Sequence, residues 1–233
     1  MATISPTANS LLKQRFSDYE WLVVDGASSD ETLQLIDEIN LPNKRVFSAR
    51  DNGIYDAMNR AIELARGDWL YFLNCGDELQ DDEVLSSVAA AIDEGSGAEL
   101  LWGDMIYTTG RSSWRRRFRH ISNRSLVFND LNHQSVFANR RLFSRFGNFN
   151  LDFRTSADYD WLIRAFLGGA CLCYFPRIIA KFAVGGAHSV DPTALATERQ
   201  RLRLQYVSPL KLRFGLFCAR ICRRLRLVIG HGG

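Results

Sequence analysis

Two aspartates stand where an apolar run stops. Asp25 ends Leu22-Val23-Val24-Asp25 and is followed by Gly26-Ala27-Ser28-Ser29, while Asp77 follows Trp69–Leu73 and the turn Asn74-Cys75-Gly76. A short apolar run bounded by turn residues reads as a buried strand, and open α/β sheets bind ligands outside the carboxyl ends of their strands. Carboxylates at two such ends suit a cation or a nucleoside. Asp77, reached through a glycine that permits close approach, suits a divalent cation bridging two phosphates of a nucleotide diphosphate. Its plainer role is to cap the helix that follows. Asp25, with Gly26 and Ser28 offering backbone N–H groups, suits a uracil N3–H or a ribose hydroxyl, and its plainer role is an Asp-Gly turn. In Asn52-Gly53-Ile54-Tyr55-Asp56 a helix begins from which Tyr55 and Asp56 could face a base. Asp56 also fits as a first-turn acid complementing the helix dipole.

The elements that must hold these residues are legible from periodicity. Glu20–Val24 reads as a strand, 31–40 as a helix with Leu33, Ile36 and Ile39 on one face, and Arg45–Ser48 as a second strand. Apolar residues at 54, 58, 61, 62 and 65 form a helical stripe that Gly67 terminates. Asp68–Leu73 is the next strand, 81–94 a helix, and Leu100–Trp102 a strand ending at Gly103-Asp104. The order βαβαβαβ implies a parallel sheet with crossover helices. Beyond residue 105 come an Arg-rich segment, a strand at Asn132–Phe137, helices at 140–146 and 157–168, and strands at 172–175 and 178–184. Gly185-Gly186 reads as a mobile loop and the chain from Pro192 onward as mostly helical.

Composition sets the limits. The 233 residues, 46% hydrophobic and 24% charged, describe a globular chain with one sizeable core rather than a disordered one. Cysteines 75, 171, 173, 218 and 222 have no metal-ligand spacing, which favours a reducing compartment over a disulfide framework. The first residues lack a signal-peptide pattern, and no apolar stretch is long enough to span a bilayer. A cytoplasmic protein is expected. The net charge of +3 is unevenly spread: Arg111–Arg119 holds five arginines, and the last 26 residues carry six basic residues and no acid. Either run is a solvated face or an attraction to phosphates or anionic lipid. Nucleic acid is excluded as a partner, since no recognisable binding module accompanies the arginines.

The ordered segments VDGASSDET, DNGIYDAMNRAI, GDWLYFLNCGDEL, NHQSVF and ADYDWLIRA resemble glycosyltransferase family 2, over about residues 15 to 186. They are most similar to bacterial enzymes of exopolysaccharide, colanic-acid and O-antigen assembly. The resemblance implies a GT-A fold, an α/β architecture with a mixed sheet flanked by helices. It also implies transfer of a sugar, with inversion, from a nucleotide-diphosphate donor. Asp25 then matches the nucleoside-binding aspartate, with Gly26, Ser28, Asn52, Tyr55 and Asp56 on the donor side. Asp77 matches the last residue of the metal motif, holding Mg²⁺ or Mn²⁺, and His188 is a further candidate ligand for metal or phosphate. Asp158 matches the general base; inverting transfer needs one carboxylate to take the acceptor proton. His133 and Gln134 fall on the acceptor side. Asp160 faces another side of the same helix, and Arg164 suits either phosphate contact or solvation. Two features depart from the family pattern: the metal motif carries a single acid, and few residues precede Gln14-Arg15-Phe16, leaving Ala2–Pro6 to stand in for the first strand.

Residues 1–190 are therefore expected to form the GT-A domain and 191–233 a helical, basic extension. Ser208–Ile229 suits an interfacial amphipathic helix on an anionic membrane surface. The expected function is an inverting glycosyltransferase, its donor a UDP-sugar and its acceptor a growing bacterial glycan or lipid-linked molecule. The alternative is a catalytically silent relative that binds nucleotide sugar or serves as a scaffold. A nucleotidyltransferase would need a Gly-rich, Lys-containing loop after the first strand, and none is present.

Overall fold

The computed structural model describes residues 4–94, 97–122, 125–185 and 191–218. The chain opens with helix α1 (Ile4–Leu12), so the strand expected at Ala2–Pro6 is replaced, from Ile4 onward, by helix. Side-chain hydroxyls explain the change. Thr7 Oγ1 donates to the Asp77 carbonyl at 2.8 Å and accepts the Gly76 N–H at 2.9 Å, and Ser10 Oγ accepts the Leu79 N–H at 3.1 Å. These bonds fasten one helix face to the 74–79 turn instead of pairing the segment with a strand.

Strand β1 (Trp21–Asp25), helix α2 (Thr32–Glu38) and strand β2 (Lys44–Ser48) form a βαβ unit whose two strands run parallel. Asp30 Oδ1 accepts the Thr32 N–H at the start of α2. At its end Lys44 Nζ donates to the carbonyls of Ile36, Asp37 and Ile39, a cation satisfying orphan acceptors. Helix α3 (Ile54–Leu64) leads to β3 (Trp69–Tyr71), then β4 (Glu78–Leu79) and α4 (Val84–Asp93). The second half contains β5 (Leu100–Thr109), β6 (Ser112–Arg116), β7 (Val136–Asn139), α5 (Arg141–Phe146), α6 (Ala157–Leu167), β8 (Leu172–Ala183) and α7 (Pro192–Tyr206).

Among the described residues the strands form two sheets: β1-β2, and β3-β7-β5-β8-β4 with β6 on β5. Sequence order implied parallel pairing throughout the first half, but β7 inserts antiparallel between β3 and β5, leaving β1–β2 and β5–β8 as the parallel pairs. The segment expected as one strand from Asn132 begins instead with a 3₁₀ turn at His133–Ser135, and the strand starts at Val136. Ser135 Oγ, bonded back to the Asn132 carbonyl at 2.8 Å, closes that turn. The two strands expected at 172–175 and 178–184 are one. Its register shifts opposite Asp104, and the bulge takes up Pro176, which has no N–H for a ladder. Gly103 faces that bulge, where an added Cβ would lie 2.4 Å from the Arg177 carbonyl oxygen.

The core sits around β5, β8 and α6. Leu100, Leu101, Met105, Ile163, Phe166 and Ile179 are wholly buried. Every residue of α6 from Ala157 to Ile163 is buried, so that helix is packed on all sides. Trp21 to Val24 of β1, by contrast, are only half-buried.

Candidate active site

A cleft of about 2370 Å³ runs past the carboxyl end of β1 and along β3 to the start of α6. It is lined by Asp25, Gly26 and Ser28, by Tyr55, by Asp77, by His133 and Gln134, and by Asp158. Residues up to 133 positions apart in the chain thus share one wall.

At one end, Asp25 is buried and accepts hydrogen bonds from Ser48 Oγ at 2.6 Å and from the Ser28 N–H at 2.9 Å, with Ser28 Oγ on its other oxygen. Burial raises its pKa, but these donors outweigh it and hold the group below the ordinary carboxylate range. All these donors are neutral. Gly26 packs closely beside it: a Cβ there would lie 2.6 Å from the Asp51 carboxylate, which would have to turn aside.

In the middle, Asp77 follows Gly76, whose φ of +95° favours glycine. Gln134 Nε2 donates to Asp77 Oδ2 at 2.9 Å, and the Ala183 N–H approaches Oδ1 at 3.4 Å. The Gln134 carbonyl accepts from the Tyr71 hydroxyl at 2.9 Å, which fixes the turn carrying both His133 and Gln134. Among the described residues no group of three or more His, Cys, Asp or Glu side chains is placed to hold a metal. One carboxylate is still a fitting donor set for a Mg²⁺-like ion, which is bound through one or two carboxylates plus substrate phosphates and water. His188 lies outside the described residues, as does Gly186 of the expected mobile loop.

At the far end Asp158 occupies the first turn of α6. The loop before it is held by Glu198 of α7, which accepts the N–H groups of Arg154 and Thr155 at 3.0 and 2.9 Å. The Tyr55 hydroxyl donates to Asp158 Oδ1 at 2.7 Å, and His133 Nδ1 lies 2.9 Å from Oδ2. Burial raises the Asp158 pKa; the contacts with His133 and Tyr55 and the field of Arg199 overcome it and leave the group lowered. Burial, and then the Asp158 charge, push Tyr55 well above the ordinary phenol range. The tyrosine stays a proton donor and the aspartate stays ionised.

Several expected residues do other work. Asn52 donates its backbone N–H (2.9 Å) and Nδ2 (3.2 Å) to Asp56 Oδ2, and Arg60 approaches the same oxygen at 3.4 Å. The pair organises the entrance to α3, and neither side chain lines the cleft. Asp160 turns away to Arg164 (2.8 Å) and Tyr206 (3.0 Å). Arg164 also donates to the carbonyls of Phe146 and Asn148, so its role is to tie α5 to α6. In the Arg-rich segment, Arg115 pairs with the wholly buried Asp104 at 2.7 Å, and Arg116 donates to Tyr107 Oη and the Asp130 carbonyl. Asp130, Asn132 and Arg199 line the cleft without having been expected there. Their signal was weak in sequence, because Arg199 reaches the site only once α7 packs back, with Asp130 accepting from Arg199 (2.8 Å) and Arg203 (2.9 Å).

Fold and site together describe a mixed α/β protein with three aspartates along one cleft, and comparison with known proteins identifies the family. Residues 2–153 match Glycosyl transferase family 2, and the chain belongs to that family of enzymes. Over 182 residues it is 36% identical to the PGL/p-HBAD biosynthesis glycosyltransferase of Mycobacterium bovis (strain BCG / Pasteur 1173P2), spanning 76% of this chain and 70% of the relative. An uncharacterized glycosyltransferase of Mycobacterium tuberculosis (strain ATCC 25618 / H37Rv) is 29% identical over 168 residues, 69% of this chain and 63% of that one. S. aureus TarS 1-349, solved in complex with UDP-GlcNAc, superposes with a TM-score of 0.71 at 21% identity, over 88% of this chain. This chain spans 63% of the length of that TarS chain. The mannosyltransferase PcManGT from Pyrobaculum calidifontis, in complex with GDP-Man and Mn²⁺, gives 0.61 at 13% identity, over 91% of this chain and 69% of its own. The fold is GT-A.

Proposed function

We propose that this chain transfers a sugar, with inversion, from a UDP-sugar to a hydroxyl of a bacterial surface glycan or lipid-linked acceptor. The observation that carries the reading is the single cleft in which Asp25 and Asp158 are both held ionised, with Asp77 on the same wall. The UDP-GlcNAc bound by TarS and the GDP-Man bound by PcManGT support the donor class. Asp25, steadied by Ser28 and Ser48, accepts from the uracil or ribose, and Gly26 lets the loop close against Asp51. Tyr55 borders the cleft from α3, whose entrance Asn52 and Asp56 organise. Asp77, with His188 as a further candidate, would hold Mg²⁺ or Mn²⁺, and the Mn²⁺ of PcManGT supports that choice. A cation held there supplies charge neutralisation to the departing diphosphate. Gln134 fixes the Asp77 carboxylate, and Asp158 takes the proton of the acceptor hydroxyl, with His133 and Gln134 on the acceptor side.

Placement at the inner membrane surface is part of the proposal. No described helix is long and apolar enough to cross a membrane. Residues 209–218 are helical, and Leu210, Phe214 and Phe217, spaced to share one face, are exposed beside Lys211 and Arg213. Leu212 is buried on the domain and so anchors this segment. Residues 219–229 of the expected amphipathic stretch lie outside the described residues.

Calorimetric titration with UDP, with and without Mn²⁺, tests the donor site. Micromolar, Mn²⁺-dependent binding that Asp77→Ala weakens is the expected result. An absence of UDP binding overturns it and favours the scaffold alternative. Co-sedimentation with anionic phosphatidylglycerol vesicles, reduced by Phe214→Ser/Phe217→Ser, tests the membrane surface.

A further inference from the structure

Asp158 stands between two short segments that one distant helix holds. Arg154 and Thr155 come just before it, and Tyr159 and Asp160 follow it at once. Helix α7 touches both segments. Glu198 accepts the N–H groups of Arg154 at 3.0 Å and Thr155 at 2.9 Å, and the Thr155 hydroxyl at 3.0 Å. Arg203 Nε lies 3.3 Å from the Tyr159 hydroxyl, and the guanidinium of Arg199 stands 5.5 Å from the Tyr159 ring centroid. The Tyr206 hydroxyl donates to Asp160 Oδ1 at 3.0 Å. Positions 198–199, 202–203 and 206 recur at helical spacing, so one face of α7 makes these contacts. Leu202, wholly buried, seats that face on the domain.

The start of α6 needs such a hold from outside. A serine at a helix N-cap ordinarily accepts an orphan N–H of the first turn, but Ser156 makes no side-chain capping bond. The turn that carries Asp158 is therefore not fixed by its own cap. Glu198 supplies a fixed point immediately ahead of it, and bonds from N–H groups to an ionised carboxylate are roughly twice as strong as neutral ones. Arg154, Thr155 and Asp158 line the cleft, whereas Glu198 does not. Glu198 thus reaches the site only through the loop it grips.

We propose that Glu198 is a positioning residue for the transfer reaction: by clamping the loop ahead of α6 it sets where the Asp158 carboxylate meets the acceptor hydroxyl. The assignment rests on the transferase reading of this cleft. It adds to the site an element, α7, that lies beyond residues 2–153 of the family match. A base must stand within hydrogen-bond reach of the proton it takes, so a loosened clamp slows the chemical step and leaves donor binding at the Asp25 end alone.

The test uses the full chain with UDP-glucose and UDP-N-acetylglucosamine as donors and methyl glycosides as acceptors. Glu198→Ala removes the clamp, while Glu198→Gln keeps an acceptor oxygen for Thr155. The expected result for Glu198→Ala is a fall in kcat of about 10–100-fold, the scale of a small misplacement of a reacting group. Glu198→Gln should recover part of that loss. UDP affinity and donor KM should stay within about twofold, the signature of an interaction that serves only the transition state. Amide hydrogen exchange at Arg154 and Thr155 should quicken in Glu198→Ala. Gly103→Ala, which crowds the β5–β8 bulge outside the cleft lining, is the control for lost stability and should keep the parental kcat.

A Glu198→Ala variant that keeps kcat within about threefold overturns the proposal. Equal losses of kcat in Glu198→Ala and Gly103→Ala do so as well, because the effect would then be one of stability. Unchanged exchange at Arg154 and Thr155 shows that no clamp operates and is equally fatal. A parent chain that turns over no donor removes the transferase reading and this assignment together; it is recognised because the parent is silent while the exchange difference persists.

Discussion

Asp25 and Asp104 are the same residue type, both buried, in the two halves of the molecule, and they are held in opposite ways. Asp104 is enclosed by a cation and two further donors: Arg115 at 2.7 Å, the Tyr174 hydroxyl at 2.9 Å and the Phe118 N–H at 2.9 Å. Asp25 meets serine hydroxyls and backbone, with no cation in contact among the described residues. A buried carboxylate neutralised by arginine is spent on architecture. One held by neutral dipoles keeps its charge for a ligand. The surroundings follow suit: β5 is buried almost throughout, whereas β1 is half-buried and borders the cleft. The packing around β5 is complete, whereas β1 borders the cleft that the proposed donor would fill.

The largest expected effect falls on the scaffold. Asp104→Ala strands Arg115 and two donors and should cost about 3–5 kcal/mol of stability, read from urea unfolding. An effect under about 1 kcal/mol would erase the distinction between the two aspartates. Asp25→Asn should cost less stability than Asp104→Ala, because no cation is stranded, while weakening UDP by roughly tenfold to a hundredfold, the worth of a hydrogen bond to a charged group. Calorimetry decides it. Gly103→Ala forces a Cβ against the Arg177 carbonyl and Ile179; overpacking of this kind costs about 1–3 kcal/mol and should leave UDP affinity intact.

Acid sharpens the contrast between binding carboxylates and the rest. Asp25 and Asp158 both have folded pKa values below their unfolded ones, so the stability they contribute is complete above the unfolded value of about 4. It is lost as pH falls through the folded values. Urea midpoints should therefore be insensitive to these two groups between pH 7 and 5 and should fall less steeply below about pH 4 in an Asp25→Asn/Asp158→Asn double variant. The smallest effect is expected at Asp56, which serves the helix entrance. Asp56→Ala should cost about 0.5–1 kcal/mol and leave UDP binding unchanged; a weakened Kd would return Asp56 to the donor site.

Much of the first half was legible because its signals are local. The Asp25 and Asp77 loops and the α3 stripe are each written within a few residues and form where expected, although α3 is capped at Ala65 rather than stopped by Gly67. The His133 turn was misread as strand because Asn132-His133-Gln134 carries no periodicity, and its shape comes from Tyr71 and Tyr107, which lie on other strands. Ala2–Pro6 was misread because the hydroxyls of Thr7 and Ser10 find their partners some 70 residues away.

The sequence alone determined the elements, the acidic loops at the strand ends and, through ordered motifs, the family, because hydrophobic period, turn chemistry and caps act between near neighbours. Only the tertiary structure decided which carboxylates share a cleft. It inserted β7 between β3 and β5, brought Tyr55 to Asp158 across 103 positions, and turned one nitrogen of His133 toward the same carboxylate. Those outcomes depend on burial and on hydrogen bonds between distant segments, whose partners exist only after the chain has packed.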